Sequence, residues 1–279
     1  MFKYKLRDFV NEILRNAATI LIILFVIFPI VWLILTAFKP ERYVYTNSFI
    51  FPPTLNNFFS VFGGSGRLDF TPYLINSLAV SAGVLLIAIP LAIMASYVLS
   101  RYVFKGSTAI LIWVLATQFI PRVVVVIPFF AMFRQIGLID TRLGLIIIDL
   151  ALILPYSIWL LKGFTDSLPT AVEEQAIVDG CNEFQVLTRI TFPMLAPGVI
   201  VTTIFSFIMA WNEFLFALII TRDQAKTMTI GLLECVTQQG VKWEWMSATG
   251  MVVMVPVFII SLLIRKHFVE GLTMGAVKG

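Results

Sequence analysis

Charge is what this sequence has least of. Asp, Glu, Lys and Arg make up 13% of its 279 residues, against about 25% in an ordinary soluble domain, and that scarcity excludes a chain that folds as a globule in water. Histidine occurs once, at His267, and cysteine twice, at Cys181 and Cys235. No His/Cys/carboxylate cluster has ligand spacing, so no metal site is expected. The signature G-x-x-x-x-G-K-[ST] is missing. The tail "GLTMGAVKG" has glycines and a lysine without that spacing, so this chain is not expected to hold ATP in a phosphate loop. Nucleophile–base pairs and paired intramembrane carboxylates are missing too, which argues against a membrane-embedded enzyme. The 20 Lys and Arg residues are scattered, and no nucleic-acid-binding motif accompanies them.

What is present is apolar. Hydrophobic residues make up 59% of the chain and mean hydropathy is +0.94, which defines the membrane class. A helix rising ~1.5 Å per residue needs about 20 apolar residues to cross ~30 Å of hydrocarbon. Six stretches meet that need, at about 17–38, 73–99, 108–133, 143–162, 198–220 and 247–267. The third is the least clean, interrupted by Gln118, Pro121 and Arg122. Ahead of the first, Phe2, Leu6, Phe9, Val10 and Ile13 recur at helical spacing, so residues 1–16 read as an amphipathic helix on the membrane surface, not a cleaved signal.

An even number of spans puts both termini on one side. Lys3, Lys5, Arg7 and Arg15 precede the first span, Arg265 and Lys266 follow the last, and the short loop "SRYVFKG" between spans two and three is purely basic. The positive-inside rule therefore places both termini in the cytoplasm. Cys181 and Cys235 then fall on opposite sides and cannot pair; both read as small buried or interfacial thiols.

The long inner loop, about 163–197, contains "EEQAIVDG" at 173–180. Pro169 suits a helix start, and Thr170 with Glu173 has the spacing of a capping box. Glu173 and Glu174 then sit where the helix dipole favours acids, Val172 and Ala176 share a face with Ile177 beside them, and Gly180 reads as the stop. Asn182 and Gln185 can cap a second short helix over about 183–191, with Phe184, Leu187 and Ile190 as its stripe and Pro193 as its end. The loop is expected to be two short helices cornered at Gly180, exposing carboxylates and a small apolar face. A solvated connector is the alternative, but connectors need only ~2–8 residues, and this loop is far longer.

Glu174-Gln175-Ala176, three residues, Gly180, nine residues, Ile190, one residue, then Phe192-Pro193 resembles the "EAA" loop of membrane subunits of ATP-binding cassette (ABC) importers. Gln175 stands where that pattern has its first alanine and Phe192 where it has leucine. Together with "IGLIDTRLGLI", "WNEF" at 211–214 and the tail, the chain looks like the carbohydrate-uptake branch, the family of the maltose transporter's smaller membrane subunit. The resemblance implies an all-α membrane protein of the type I ABC importer fold: six transmembrane helices, the amphipathic segment 1–16, a permease domain 17–270 with a two-helix cytoplasmic coupling loop 163–197, and a cytoplasmic tail 271–279.

By the same resemblance, Glu174, Ala176, Asp179 and Gly180 couple to a cytoplasmic ATPase, Glu173 adds supporting charge, and the tail reaches the ATPase interface through Gly271, Gly275 and Lys278. The implied partners are a second permease subunit in a heterodimer, two ATPase subunits and an extracytoplasmic solute-binding protein, in a bacterial or archaeal inner membrane. This chain itself is implied to be non-catalytic and free of cofactors, with ATP and Mg on the ATPase. Sugars are the expected solutes; glycerol, polyols or glycerol phosphate are alternatives, as is a stand-alone secondary transporter. Polar residues at membrane depth are costly and usually face a bundle interior or a water-filled path. Gln118, Arg122, Asp149, Asn212 and Glu213 are therefore pathway candidates, as are the aromatics Tyr156, Trp159 and Trp211, which can also serve packing.

Overall fold

The computed structural model describes residues 2–46, 48–63, 68–102 and 104–276, with side chains described between 11 and 262. Along the chain run α1 (Phe2–Ala37), α2 (Glu41–Val44), α3 (Asn56–Phe62), α4 (Thr71–Arg101), α5 (Ser107–Ala116), α6 (Arg122–Gln135), α7 (Arg142–Asp166), α8 (Thr170–Val178), α9 (Glu183–Gln185), α10 (Phe192–Trp211), α11 (Leu215–Ile220), α12 (Met228–Glu234) and α13 (Trp243–Ala276). A small antiparallel hairpin, β1 (Val236–Thr237) and β2 (Gly240–Val241), precedes α13.

Five helical segments are long and apolar enough to span: Asn11–Ala37, Thr71–Arg101, Arg142–Asp166, Glu183–Ile220 and Trp243–Leu262. The third expected span is broken. Ser107–Phe119 and Arg122–Gln135 meet at 94°, so the count of six holds only if this bent pair is one span. Pro121 is the physical reason. It lacks an N–H and drives the preceding residue out of the helical region; Ile120 is extended, at φ −74° and ψ 119°. At the N-terminus, the expected surface helix and the first span form one helix from Phe2 to Ala37.

The chain divides into two compact units. The first comprises residues 1–69 and 232–254. The buried Asn57 amide donates to the carbonyls of Ala37 and Lys39, both at 2.8 Å; the first is an acceptor that the end of α1 leaves open. Lys39 itself is buried, with its ammonium 4.5 Å from the centre of the Trp32 ring. Exposed apolar side chains run along α1 from Ile13 to Val31.

The second unit comprises residues 70–231 and 255–279. Its core joins Val80, Val84 and Ala88 of α4 to Leu145, Ile148 and Ile153 of α7 and to Ala210 of α10. Ser157 and Ser206 share a buried hydroxyl–hydroxyl bond of 2.9 Å between α7 and α10. Gly198 lets these helices approach: a Cβ there would lie 2.6 Å from Phe164 Cγ and 2.8 Å from its Cβ.

One loop contact fixes the end of α11. Asp140, at φ +58°, accepts the backbone N–H groups of Arg222, Asp223, Gln224 and Ala225 at 2.9–3.1 Å. Burial raises its carboxyl pKa, but these four donors outweigh that and hold it below the ordinary value.

Candidate functional site

Helices α8 and α9 form a foot between α7 and α10. Its corner is a Schellman motif: Gly180 N–H donates to Ile177 O at 3.0 Å and Cys181 N–H to Ala176 O at 3.0 Å. Gly180 sits at φ +90°, a region that penalises any side chain with a Cβ. The second helix starts with the expected reciprocal cap: Asn182 Oδ1 accepts Gln185 N–H and Gln185 Oε1 accepts Asn182 N–H, both at 2.9 Å.

Two local expectations are corrected. Thr170 and Glu173 form no capping box, because Pro169 occupies the cap position without a side-chain bond. The second short helix does not end at Pro193. A π-helical turn, Val186–Thr191, carries it directly into α10, and Pro193 falls in the first turn of that helix, where a missing N–H is tolerated.

The acids of the foot separate by direction. Glu174 and Asp179 are exposed. Glu173, expected among the exposed acids, is only 6% exposed. Its Oε2 accepts Arg101 Nε at 2.6 Å, and its Oε1 accepts Arg101 Nη2 at 3.1 Å and the Thr191 hydroxyl at 2.9 Å. The guanidinium, 72 residues away in sequence, holds Glu173 on the buried side of the foot. Ala176 is also buried, while Ile177, Val178 and Phe184 stay exposed. Beside α9, Met94, Tyr97, Val98, Tyr102, Glu183 and Leu187 help to line a cavity of about 450 Å³. There burial and the Glu183 carboxylate push the Tyr102 phenol up to about 12. In the tail, Gly271 and Gly275 lie on the helical backbone of α13; Lys278 is outside the described residues.

The pathway candidates fare unequally. Asp149 is 1% exposed on α7, and its Oδ1 has no hydrogen-bond partner among the described residues. It lies within electrostatic reach of Arg122 and Glu213. Arg122 opens α6 and is exposed, and Gln118 donates to Leu152 O at 3.2 Å. Tyr156 is half-buried with its ring 6.4 Å from that of Trp159, and Asn212 is exposed, its amide on Ile208 O. Two candidates, like Asp149, are buried. Trp211 is 2% exposed and stacks on Phe207 at 5.4 Å. Glu213 is buried, and its two oxygens accept Phe216 N–H and Ala217 N–H at 2.9 Å, so it caps α11. Sequence reasoning missed Arg101 and Asp140. The only hints were a lone arginine at a helix end and an acid between two turns.

These features define a multi-pass helical membrane protein with a cornered two-helix foot. A chain of a bacterial ABC transporter involved in the import of the acidic polysaccharide alginate has the same fold, with a TM-score of 0.79 over 94% of this chain and 97% of that one, at 21% identity. The family model for inner membrane components of binding-protein-dependent transport systems matches residues 88–273. Over 98% of this chain and 99% of theirs, two relatives are similar. The trehalose/maltose transport system permease protein MalG of Thermococcus litoralis is 32% identical, and the diacetylchitobiose uptake system permease protein DasC of Streptomyces coelicolor is 30% identical. The chain belongs to the family of binding-protein-dependent transport system inner membrane components: it is an ABC importer permease of the inner membrane. That membership sets aside the stand-alone secondary transporter.

Proposed function

We propose that this permease serves the uptake of sugars or closely related polyhydroxylated solutes, as half of a translocation path completed by a second permease subunit. The foot carries the coupling reading: a rigid corner at Gly180, with Glu174 and Asp179 outside and Ile177, Val178 and Phe184 exposed beside them. It docks on a cytoplasmic ATPase that holds ATP and Mg, while this chain performs no catalysis. Exposed ion pairs contribute only ~0–1 kcal/mol each, so the apolar residues matter as much as the acids. Closure of two ATPase subunits then shifts the permease between inward- and outward-facing states by differential contact with the foot. Both termini lie in the cytoplasm, the α13 tail with Gly271, Gly275 and Lys278 reaches the ATPase, and an extracytoplasmic binding protein delivers solute.

The names of the relatives support the sugar class, since trehalose/maltose and diacetylchitobiose systems stand among them. Gln118, Arg122, Asp149, Tyr156 and Asn212 are the proposed polar and aromatic contacts along the path. The test is uptake by proteoliposomes holding the full complex with its binding protein, across sugars, polyols and glycerol phosphates. Uptake that needs ATP and follows a sugar supports the reading; uptake by this chain without ATP overturns it.

A further inference from the structure

Adjacent glutamates in the foot face opposite ways, and the inward one is tied to another helix. Arg101 is the last residue of α4. Its guanidinium holds Glu173 of α8 through two bonds and reaches Leu168 O, just ahead of α8, at 3.4 Å. The same carboxylate accepts the hydroxyl of Thr191, the last residue of the π turn that runs into α10. The side chains of the pair are 10% and 7% exposed. Next to Arg101, Ser100 donates to Asp166 at the end of α7 at 2.5 Å. Four helices thus converge on one small polar cluster.

We propose that Arg101, Glu173 and Thr191 form a buried clamp that passes displacement of the foot to α4 and α10 together, and that Glu173 acts there and not on the ATPase. Separating the pair would strand a buried charge, which is far more costly than losing an exposed contact. A bidentate arginine–carboxylate contact also fixes orientation, which a single bond does not. The foot therefore cannot swing on α8 alone. Force applied at Glu174 and the exposed apolar residues reaches α4 through Arg101, while α9 reaches α10 through continuous backbone. Arg101 and Thr191 are positioning residues, acting through Glu173. The inference rests on the coupling reading of the foot.

The test compares solute imported per ATP hydrolysed, and ATPase co-purification, in the reconstituted complex. Glu173→Gln and Arg101→Gln should each keep ATPase co-purification while lowering solute per ATP at least tenfold. The double variant should be no worse than either single one, because both remove the same contact. Arg101→Lys should restore part of the ratio, and Thr191→Val, which keeps the ion pair, should lower it less. If the neutral variants do not assemble, Arg101→Lys and Thr191→Val decide alone, and wild-type ratios in both overturn the clamp. Wild-type ratios in the two neutral variants also overturn it, as does loss of co-purification in Glu173→Gln but not in Arg101→Gln. Glu174→Lys is the control for the reading beneath. If it too leaves association and coupling unchanged, the coupling reading has failed; if it impairs them while the clamp variants stay normal, only the clamp has.

Discussion

Gly180 is the position where one substitution tests the foot with least ambiguity. Its φ of +90° closes the corner, and a Cβ built there meets no atom within 4 Å. A substitution therefore acts through backbone strain and not through a clash. For a residue with a Cβ, the left-handed region costs ~1–2 kcal/mol, less for Asn and more for a β-branched side chain. A cost of that size shifts the ratio of cornered to relaxed foot by roughly 5–30-fold. Gly180→Asn, Gly180→Ala and Gly180→Val should then form a graded series. Solute imported per ATP should fall in that order, while membrane insertion and the melting of the transmembrane bundle change little. Hydrogen exchange at the Cys181 amide, which is bonded to Ala176 O, should rise in the same order, because that bond exists only when the corner is closed. Normal coupling in Gly180→Val together with wild-type exchange at Cys181 would refute both the strain argument and the assignment of the foot.

Four further outcomes follow from individual contacts. Asp140→Asn should cost about 1–2 kcal/mol after allowance for solvent access, read as a lower melting temperature. Because the folded carboxyl lies below its ordinary value of 3.8, this contribution is present above that value and is lost as pH falls through the lower folded one; an Asn variant whose deficit persists unchanged in acid would contradict it. Glu213→Gln should lower stability by about 1 kcal/mol through the weakened cap of α11 without changing the half-saturating solute concentration, and a large change in that concentration would return Glu213 to the path. Gly198→Ala should cost about 1–3 kcal/mol by forcing α10 off Phe164, measured by thermal unfolding in detergent. Cys235 is buried, and burial pushes its thiol up to about 11, so at neutral pH an impermeant maleimide should label Cys181 and spare Cys235. That label should reach Cys181 only from the cytoplasmic side; labelling from outside would reverse the topology.

Much of the fold was legible because the membrane leaves few choices. Runs of about 20 apolar residues can only be helices there, and four expected stretches lie within single long helices: α1, α4, α7 and α13. The foot's corner was legible because its causes are local: glycine at the helix stop, and Asn182 with Gln185 at the spacing of a reciprocal cap. What stayed hidden depends on partners far along the chain. The break at Pro121 was marked by composition, but its 94° angle was not. Trp211 looked like a solute-stacking residue because a tryptophan at membrane depth reads the same whether it faces Phe207 or a channel.

The carboxylates show most clearly what a sequence withholds. Glu173, Asp149 and Glu213 each interrupt apolar or foot sequence, and composition flags them alike as candidates for function. The structure separates them by what satisfies each charge. Backbone donors of α11 take up both oxygens of Glu213, so it has little capacity left for a solute. Arg101 and Thr191 take up Glu173, so its charge ties helices together and is not presented to a partner. Asp149 alone of the three keeps a buried oxygen without a donor among the described residues, within electrostatic reach of an exposed Arg122. A buried acceptor left open is costly unless something supplies its hydrogen bond. Hydrogen-bond satisfaction thus separates Asp149 from the glutamate that local sequence made equally conspicuous.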